Sequence, residues 1–267
     1  MRALTLGPEG TYSHRATMAV ADEIEFVESV TGIIDGVADG GYERGTVPIE
    51  NSIEGSVTES LDALAESDVA IVEEIVTPIR HALMAQSDAF DTVASHAQAL
   101  AQCRSYLDTE HPAATPQAVA STARGVQRAR EDPAVGAIGH PETAGGELRV
   151  LAEDIQDRTS NATRFFVLAP ASERQTAGSK ATVIVYPNTN YPGLLLELLE
   201  PFATRDINLS RVESRPSGDR LGDYIFHIDF AAGMYEDRAT EAIAELEALS
   251  VEGWVQVLGS YDTQTVL

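Results

Sequence analysis

Strand-like and helix-like segments alternate through the first two-thirds of this 267-residue sequence, and this order constrains the fold more than any other feature. Short apolar runs such as RALTL at residues 2–6 and GTVPIE at residues 45–50 read as strands. Segments with helical spacing separate them, and the helix expected after residue 56 carries Val57, Leu61 and Leu64 on one face. Such alternation is typical of an α/β domain.

Further along this part, residues 97–107 and residues 118–130 each read as a helix. The pattern changes after a polar stretch at residues 169–179. Residues 180–267 read strand, helix, strand, strand, helix, strand, with residues 254–261 as the last strand, and this order predicts a ferredoxin-like βαββαβ module. Its helices are expected to bury Leu195, Leu198, Leu199 and Phe202, and Ala239, Ile243, Leu246 and Leu249.

Residue usage excludes several kinds of site. Cys103 is the only cysteine, so neither an internal disulfide nor a cysteine-based metal site can form. The six histidines show no HxxxH or HExxH spacing, and no metal is expected. Lys180 is the only lysine and begins a predicted strand, so a P-loop or Schiff-base lysine is not expected. With no GxGxxG motif, the sequence predicts no cofactor.

The charge balance limits the partners and the location. A net charge of −24 repels nucleic acid and anionic membranes, so neither is expected as a partner. No membrane span and no signal peptide are recognised, which favours the cytoplasm. An acidic, lysine-poor surface suggests a halophile, where salt screens the repulsion between carboxylates. An ordinary acidic surface is the alternative.

Loops at the ends of four predicted strands carry hydrogen-bonding side chains, nearly all of them neutral, together with an arginine. They hold Thr11 and Ser13; Asn51, Ser52 and Ser56; Ser95, His96, Gln98 and Gln102; and Thr159, Ser160, Asn161, Thr163 and Arg164. Taken alone, the first two loops are better explained by ordinary caps and turns, and the other two have equally ordinary structural explanations. Together, at strand ends where α/β proteins bind ligands, they predict a pocket for a small anion. Chemistry there would rest on proton donation and electrostatics.

Two neighbouring pairs in these loops are constrained by strand geometry. Adjacent side chains on a strand point to opposite faces, so Ser95 and His96 are not expected to form a nucleophile–base pair. If the strand already includes Thr163 and Arg164, only one of them faces the pocket. Arg164 is then either a fork for a substrate carboxylate or part of a structural ion pair.

Several long motifs resemble prephenate dehydratase, and they occur in the order found in that family. They are GPEGTYSH, VPIENSIEGSV, SHAQALAQC, STA at residues 121–123 and NATRFFVL, followed by NYPGLLLELLEPFATRDINLSRVESRP, which resembles an ACT regulatory domain. The resemblance implies a catalytic domain at residues 1–175, similar to type 2 periplasmic binding proteins. Its lobes would be residues 1–78 with 156–175, and residues 79–155. The ACT domain would be residues 180–267.

The family's reaction converts prephenate to phenylpyruvate, water and carbon dioxide without a cofactor. The resemblance implies Thr163 as the catalytic residue, which would donate a hydrogen bond to the leaving hydroxyl. The implied substrate-binding residues are Asn51, Ser95, Gln102, Thr11, Ser13, Ser121, Thr122, Asn161 and Arg164. No chorismate mutase segment precedes residue 1, so the monofunctional form is expected.

The ACT-like segment implies feedback by L-phenylalanine and a homodimer or homotetramer. The implied effector residues are Asn190, Pro192, Gly193, Leu194, Glu213, Ser214 and Arg215. Leu194 stands where the family usually has alanine, which could narrow the pocket or change which amino acid fits. Two alternatives stay open: an arogenate dehydratase, and a ligand-binding regulator without catalysis, although the sequence has no spare segment for an output module.

Overall fold

A computed structural model describes residues 1–53, 55–158, 160–218 and 220–266, so Thr159 of the polar cluster lies outside the described residues. The strands are β1 Arg2–Leu6, β2 Glu23–Val27, β3 Arg44–Asn51, β4 Gly55–Ser56, β5 Val69–Pro78, β6 Ala82–Ala85, β7 Thr92–His96, β8 Thr115–Val119, β9 Val135–Gly139, β10 Arg149–Ala152, β11 Ala162–Pro170, β12 Lys180–Tyr186, β13 Leu209–Pro216, β14 Tyr224–Phe230, β15 Trp254–Tyr261 and β16 Thr263–Thr265. The α-helices are α1 Tyr12–Met18, α2 Val30–Ala38, α3 Thr58–Ala65, α4 Ala97–Gln102, α5 Arg104–Glu110, α6 Thr122–Glu131, α7 Leu194–Ala203 and α8 Asp237–Leu249.

Two sheets form two lobes in the first part of the chain. The first sheet has the order β16-β5-β11-β3-β1-β2, with β4 paired to β3, and the second has the order β10-β6-β9-β7-β8. The chain passes to the second sheet after Pro78 and returns to the first after Ala152. A cleft between the lobes is therefore bounded by segments from both sheets, which is where α/β proteins place ligands.

The third sheet has the order β13-β14-β12-β15, with α7 and α8 packed on one face. Its other face packs on the first lobe: Ile184, Leu258 and Tyr261 share one buried cluster with Ile71 and Phe166. The βαββαβ order predicted for this segment is confirmed by the strands and helices. Within the described residues, no helix is long and apolar enough to cross a membrane.

The inward face of α7 differs by one position from the prediction. Gly193 precedes the helix at φ +101°, in the left-handed region that favours glycine, and the helix begins at Leu194. Leu194, Leu198 and Phe202, each four residues apart, therefore share the buried face. Leu195 lies one step around the helix and is 43% exposed, so its predicted burial is wrong. Leu249, at the end of α8, is likewise exposed.

Three other predictions of local structure were incomplete. Residues 115–119 form strand β8, paired in parallel with β7, because the following helix begins only at its N-cap, Ser121. The helix expected at residues 97–107 is divided into two at Cys103. Past residue 261, β16 returns to the first sheet and pairs with β5. The first two departures share a cause: helical spacing alone does not locate the ends of a helix.

A buried ion cluster joins the third sheet to the first. The Arg164 guanidinium on β11 lies 2.8 Å from a carboxylate oxygen of Glu74 on β5 and 2.7 Å from one of Asp229 on β14. Neither carboxylate is exposed, and Lys180 also pairs with Glu74. Burial alone would raise the pKa of the Glu74 carboxyl, but hydrogen bonds from Lys180 and Arg164 outweigh it and lower the pKa below its ordinary value. Opposite charge thus compensates both buried carboxylates.

We expect Arg164→Met to lower the free energy of unfolding by about 3–5 kcal/mol, because it leaves two buried carboxylates with fewer partners. Urea unfolding at neutral pH measures this loss. The matched control is Arg104→Met, whose pair with Asp108 has side chains 80% and 71% exposed and should matter little. Equal effects of the two substitutions would contradict a structural role for the cluster.

The pH dependence gives a second measurement of the same substitution. A carboxyl whose pKa is lowered by folding adds stability above its unfolded pKa, here ordinarily 4.5, and this stability is lost as the pH falls through the folded value. The wild type should therefore lose more stability on acidification than Arg164→Met. A difference between them that stays constant down to pH 3 would show that Glu74 is not the group concerned.

Candidate functional site between the lobes

A cavity of about 440 Å³ opens between the two lobes. Its lining comes from β1, α1, β3 and β11 in the first lobe, and from β7, α4 and the start of α6 in the second. Seven residues predicted to bind or act on a ligand line it together: Thr11, Ser13, Asn51, Gln102, Ser121, Thr122 and Thr163. His96 and Gln98, from the same polar loops, also line it, and two further polar lining residues, Tyr12 and His81, were not predicted.

Three helices begin at the cavity, and their N-cap residues line it. Thr11 Oγ1 accepts from His14 N at 3.2 Å, His96 Nδ1 from Gln98 N at 3.4 Å, and Ser121 Oγ from Arg124 N at 3.0 Å. In each helix the cap satisfies one amide, while other first-turn N–H groups have no acceptor within the helix. The ten-residue helix α6 adds the positive end of its dipole. The arrangement favours an anionic ligand.

Thr163 lies directly opposite Asn51 on the neighbouring antiparallel strand. Asn51 Nδ2 donates to Thr163 Oγ1 at 3.0 Å, and the backbone N–H of Ile53 donates to Asn51 Oδ1, which fixes the orientation of the amide. Because the Thr163 oxygen accepts from Asn51, the hydroxyl proton is directed elsewhere. Thr163 also lines the cavity, so this proton is available to a bound ligand.

Behind the lining, two further side chains hold Gln102. Asn161 Nδ2 donates to Gln102 Oε1 at 3.0 Å, and His81 Nε2 lies 2.8 Å from the same oxygen. Among the described residues no acceptor lies within reach of the Gln102 amide nitrogen, which is buried. Asn161 itself is 1% exposed and absent from the lining, so it supports the site and does not present a group to a ligand.

The cavity is lined by uncharged residue types. Within the described lining there is no Asp, Glu, Lys or Arg, and Arg164, one of the substrate-binding candidates, lies elsewhere. Burial raises the pKa of the Tyr12 phenol, whose hydroxyl donates to the carbonyl of Arg80 at 2.9 Å. Burial also lowers the pKa of His81 and, with Arg15 nearby, lowers that of His140 to about 4. The two groups that line the cavity, Tyr12 and His81, are therefore neutral near pH 7 and supply hydrogen bonds without charge.

Two residues predicted to bind substrate face away from the cavity. Ser95 has no exposed surface, and its hydroxyl donates to the carbonyl of Ile138 at 2.6 Å. His96, one residue on, is exposed and lines the cavity, as strand alternation requires. Arg164 follows Thr163 and therefore points to the opposite face of β11, into the ion cluster. The structural ion pair, and not the carboxylate fork, is the role that the structure gives it.

A second cavity of about 320 Å³ lies on the third sheet, at the start of α7. Asn190, Gly193, Leu194 and Ser214 line it, whereas Pro192 is exposed outside the lining. Gly193 is the N-cap of α7 and supplies no side-chain cap, so first-turn amides of this ten-residue helix stay available. Tyr191, Leu195, Leu196, Tyr224 and Phe226 make the remaining lining largely apolar.

Two further predicted effector residues, Glu213 and Arg215, also lie outside the lining of this cavity. Side chains alternate along β13, so Glu213 and Arg215 point away from Ser214 and toward the first lobe. Ser56 Oγ donates to Glu213 at 2.8 Å, and Arg215 forms a two-pronged ion pair with Asp62, each contact 2.9 Å. These residues therefore join the third sheet to β4 and α3. No group of three or more metal-ligating side chains occurs among the described residues.

Comparison with known proteins identifies relatives along nearly the whole chain. The family profile described as prephenate dehydratase matches residues 3–173. The prephenate dehydratase of Methanocaldococcus jannaschii is 37% identical, over 95% of each chain. The bifunctional chorismate mutase/prephenate dehydratase of Aquifex aeolicus is 38% identical, over 96% of this chain and 72% of the relative.

A solved structure extends the similarity to the fold. The prephenate dehydratase of Arthrobacter aurescens, in complex with L-Phe, superimposes with a TM-score of 0.88 at 35% identity, over 98% of this chain and 90% of that one. The predicted two-lobed α/β architecture is confirmed by this match.

We expect Ser95→Ala to lower the free energy of unfolding by about 1 kcal/mol, because the buried hydrogen bond from its hydroxyl to the carbonyl of Ile138 is lost. Urea unfolding measures the loss. Ser105→Ala is a control, since Ser105 lies on an exposed stretch of α5. An unchanged stability for Ser95→Ala would contradict the structural role assigned to this hydroxyl.

Proposed function

The chain belongs to the prephenate dehydratase family of lyases, and we propose that Thr163 is the residue that donates to the leaving hydroxyl of prephenate. One observation carries the proposal: Thr163 Oγ1 accepts a hydrogen bond from Asn51, so its own proton is free to meet a ligand in the cavity. Sequence relatives named as this enzyme support a catalytic role for the chain over a regulator without catalysis.

The reaction needs a hydrogen-bond donor more than it needs a nucleophile. The bond to the ring carboxylate breaks, its electron pair completes the aromatic ring, and the carbon–oxygen bond breaks to release hydroxide. Uptake of one proton then gives water beside carbon dioxide and phenylpyruvate. A preorganised donor at the departing oxygen is worth about 3–4 kcal/mol. A threonine hydroxyl is a weak acid, so we assign it stabilisation of the leaving group and relay of the proton.

The lining can bind a dianion through neutral hydrogen-bond donors, without a positively charged side chain. We propose that the amides at the start of α6, with Ser121 and Thr122, receive one carboxylate, and that Thr11 and Ser13 at α1 contribute on the other lobe. Without an arginine in the described lining, the carboxylate that departs is less stabilised in the ground state than by an ion pair. Its desolvation would then favour loss of carbon dioxide.

We further propose that residues 180–267 form an ACT regulatory domain, attached to a catalytic domain of residues 1–175.

The second cavity suits an apolar amino acid: a carboxylate would lie at the uncapped start of α7, and the side chain would meet Tyr224 and Phe226. L-Phenylalanine is the effector we expect, and the L-Phe complex of the Arthrobacter aurescens relative supports it. On strand β13, Ser214 lines the second cavity, and the neighbouring Glu213 accepts a hydrogen bond from Ser56 in the first lobe. We propose that this strand connects the effector cavity to the catalytic domain.

The surface suggests three further properties, which we propose together. Exposed apolar side chains of Leu196, Leu221 and Tyr224 near the effector cavity favour assembly into a homodimer or homotetramer. The charge of −24 favours a halophilic, cytoplasmic enzyme, in which salt screens repulsion among carboxylates. Assays of this protein are therefore designed in molar KCl.

We expect Thr163→Val to lower kcat for phenylpyruvate formation from prephenate by about 100- to 1,000-fold, because it removes one donor with little change of shape. Thr163→Ser, which keeps the hydroxyl, should retain most of the activity. Calorimetry with prephenate should show that Thr163→Val still binds the substrate.

A kcat for Thr163→Val within tenfold of the wild type would exclude Thr163 as the leaving-group donor and leave the family assignment intact. Arogenate is assayed in parallel with the wild type. A faster reaction with arogenate than with prephenate would replace the substrate and keep the assigned role of Thr163.

We expect L-phenylalanine to bind at the second cavity and to inhibit turnover. Tyr224→Ala should weaken its binding at least about tenfold, because the ring of Tyr224 lines the cavity. Calorimetry and inhibition curves measure the effect. Tyr235→Ala is the matched control, a half-exposed tyrosine outside that lining. If both substitutions leave phenylalanine binding unchanged, the effector binds elsewhere.

A further inference from the structure

The amide side chains around the main cavity form a hydrogen-bonded chain of fixed direction. It begins at the backbone N–H of Ile53, which can only donate, and which does so to Asn51 Oδ1 at 3.0 Å. The Asn51 amide nitrogen must then face the other way, where it donates to Thr163 and, at 3.3 Å, to Asn161 Oδ1. The orientation of Asn161 therefore follows from a backbone group whose role is unambiguous.

The same reasoning extends to Gln102. Because Asn161 accepts through its oxygen, its nitrogen donates to Gln102 Oε1. The second neighbour of that oxygen, His81 Nε2, must also donate, so the His81 proton lies on Nε2. Both donors hold the Gln102 oxygen behind the lining, and the amide nitrogen is left as a buried donor without an acceptor among the described residues.

We infer that His81 is a positioning residue, which turns the NH₂ group of Gln102, and not its carbonyl, toward the anionic substrate. The inference rests on the proposed function, since it takes the ligand to be a dianion. A flipped amide would place Oε1 against a carboxylate and the NH₂ group against the N–H groups of His81 and Asn161. It would lose two hydrogen bonds and gain a repulsion.

The surroundings of His81 hold its imidazole ring in place beside Gln102 and keep the ring neutral. The residue is 2% exposed, and its backbone N–H donates to Gln156 Oε1 at 2.9 Å, which anchors the main chain. Tyr12 packs edge-on against the imidazole, with ring centroids 6.5 Å apart. Burial lowers the pKa of His81, so the ring stays neutral and carries one proton near pH 7.

A double-mutant cycle tests this role. His81→Leu should raise KM for prephenate about tenfold or more while kcat changes little, because a hydrogen bond to a charged group in the ground state is lost. Gln102→Ala should raise KM by a similar factor. In the Gln102→Ala background, His81→Leu should add nothing, since no amide remains to be oriented. Independent, multiplicative effects on KM would overturn the inference.

Two further measurements separate positioning from simple packing. His81→Gln keeps a donor near the position of Nε2 and should restore KM toward the wild type. His111 lies outside the cavity lining, against Phe90 and Tyr106, so His111→Leu should leave KM unchanged. Nitrogen-15 NMR of histidine-labelled wild type should show the Nε2–H tautomer for His81. An Nδ1–H tautomer would overturn the inference whether or not prephenate is the substrate, and so distinguishes its failure from that of the proposed function.

Discussion

Two carboxylates without exposed surface, Glu74 and Asp229, share the guanidinium of Arg164, and the packing of the third sheet on the first depends on this contact. A buried carboxylate is tolerated only with an opposite charge beside it. The ion cluster therefore holds β14 of the third sheet at a fixed position over the paired strands β5 and β11 of the first sheet. Arg164 is also the neighbour of Thr163 on β11. The strand that carries the proposed donor is thus fixed on one face by charge, while its other face is open to the cavity.

The alternation of side chains on strands explains most of the differences between sequence and structure at the sites. Motif similarity places Ser95, Arg164, Glu213 and Arg215 near a site, but it does not say which face they occupy. The period of two requires neighbours to occupy opposite faces, and it correctly separates Thr163 from Arg164 and Ser95 from His96, although only the structure shows which member of each pair faces the cavity. What it cannot supply is the partner: Glu74 and Asp229 lie 90 and 65 residues from Arg164 in sequence.

The fold class was predictable because local spacing and turn signals are encoded within each segment. The positions of Asn51, Gln102 and Thr163 were predictable from motifs, and the structure brings them to one cavity. His81 and Tyr12 were not found: His81 is a single polar residue outside the quoted motifs, and Tyr12 lies within GPEGTYSH but was passed over in favour of its hydroxyl-bearing neighbours Thr11 and Ser13. Their importance arises from Gln102 and the Arg80 carbonyl, which the fold brings close to them. Networks of buried amides are a property of tertiary structure and leave little trace in sequence.

Strand β16 has a consequence for the behaviour of the chain in a crowded solution. It pairs with β5 at one border of the first sheet, and β5 carries the apolar run VAIVEEIV. An uncovered border strand of that length and composition would present free N–H and C=O groups to any other extended chain. Residues 263–265 pair with Glu74, Ile75 and Val76 of β5, so they occupy the backbone groups of that part of the border and shield it from pairing with another chain.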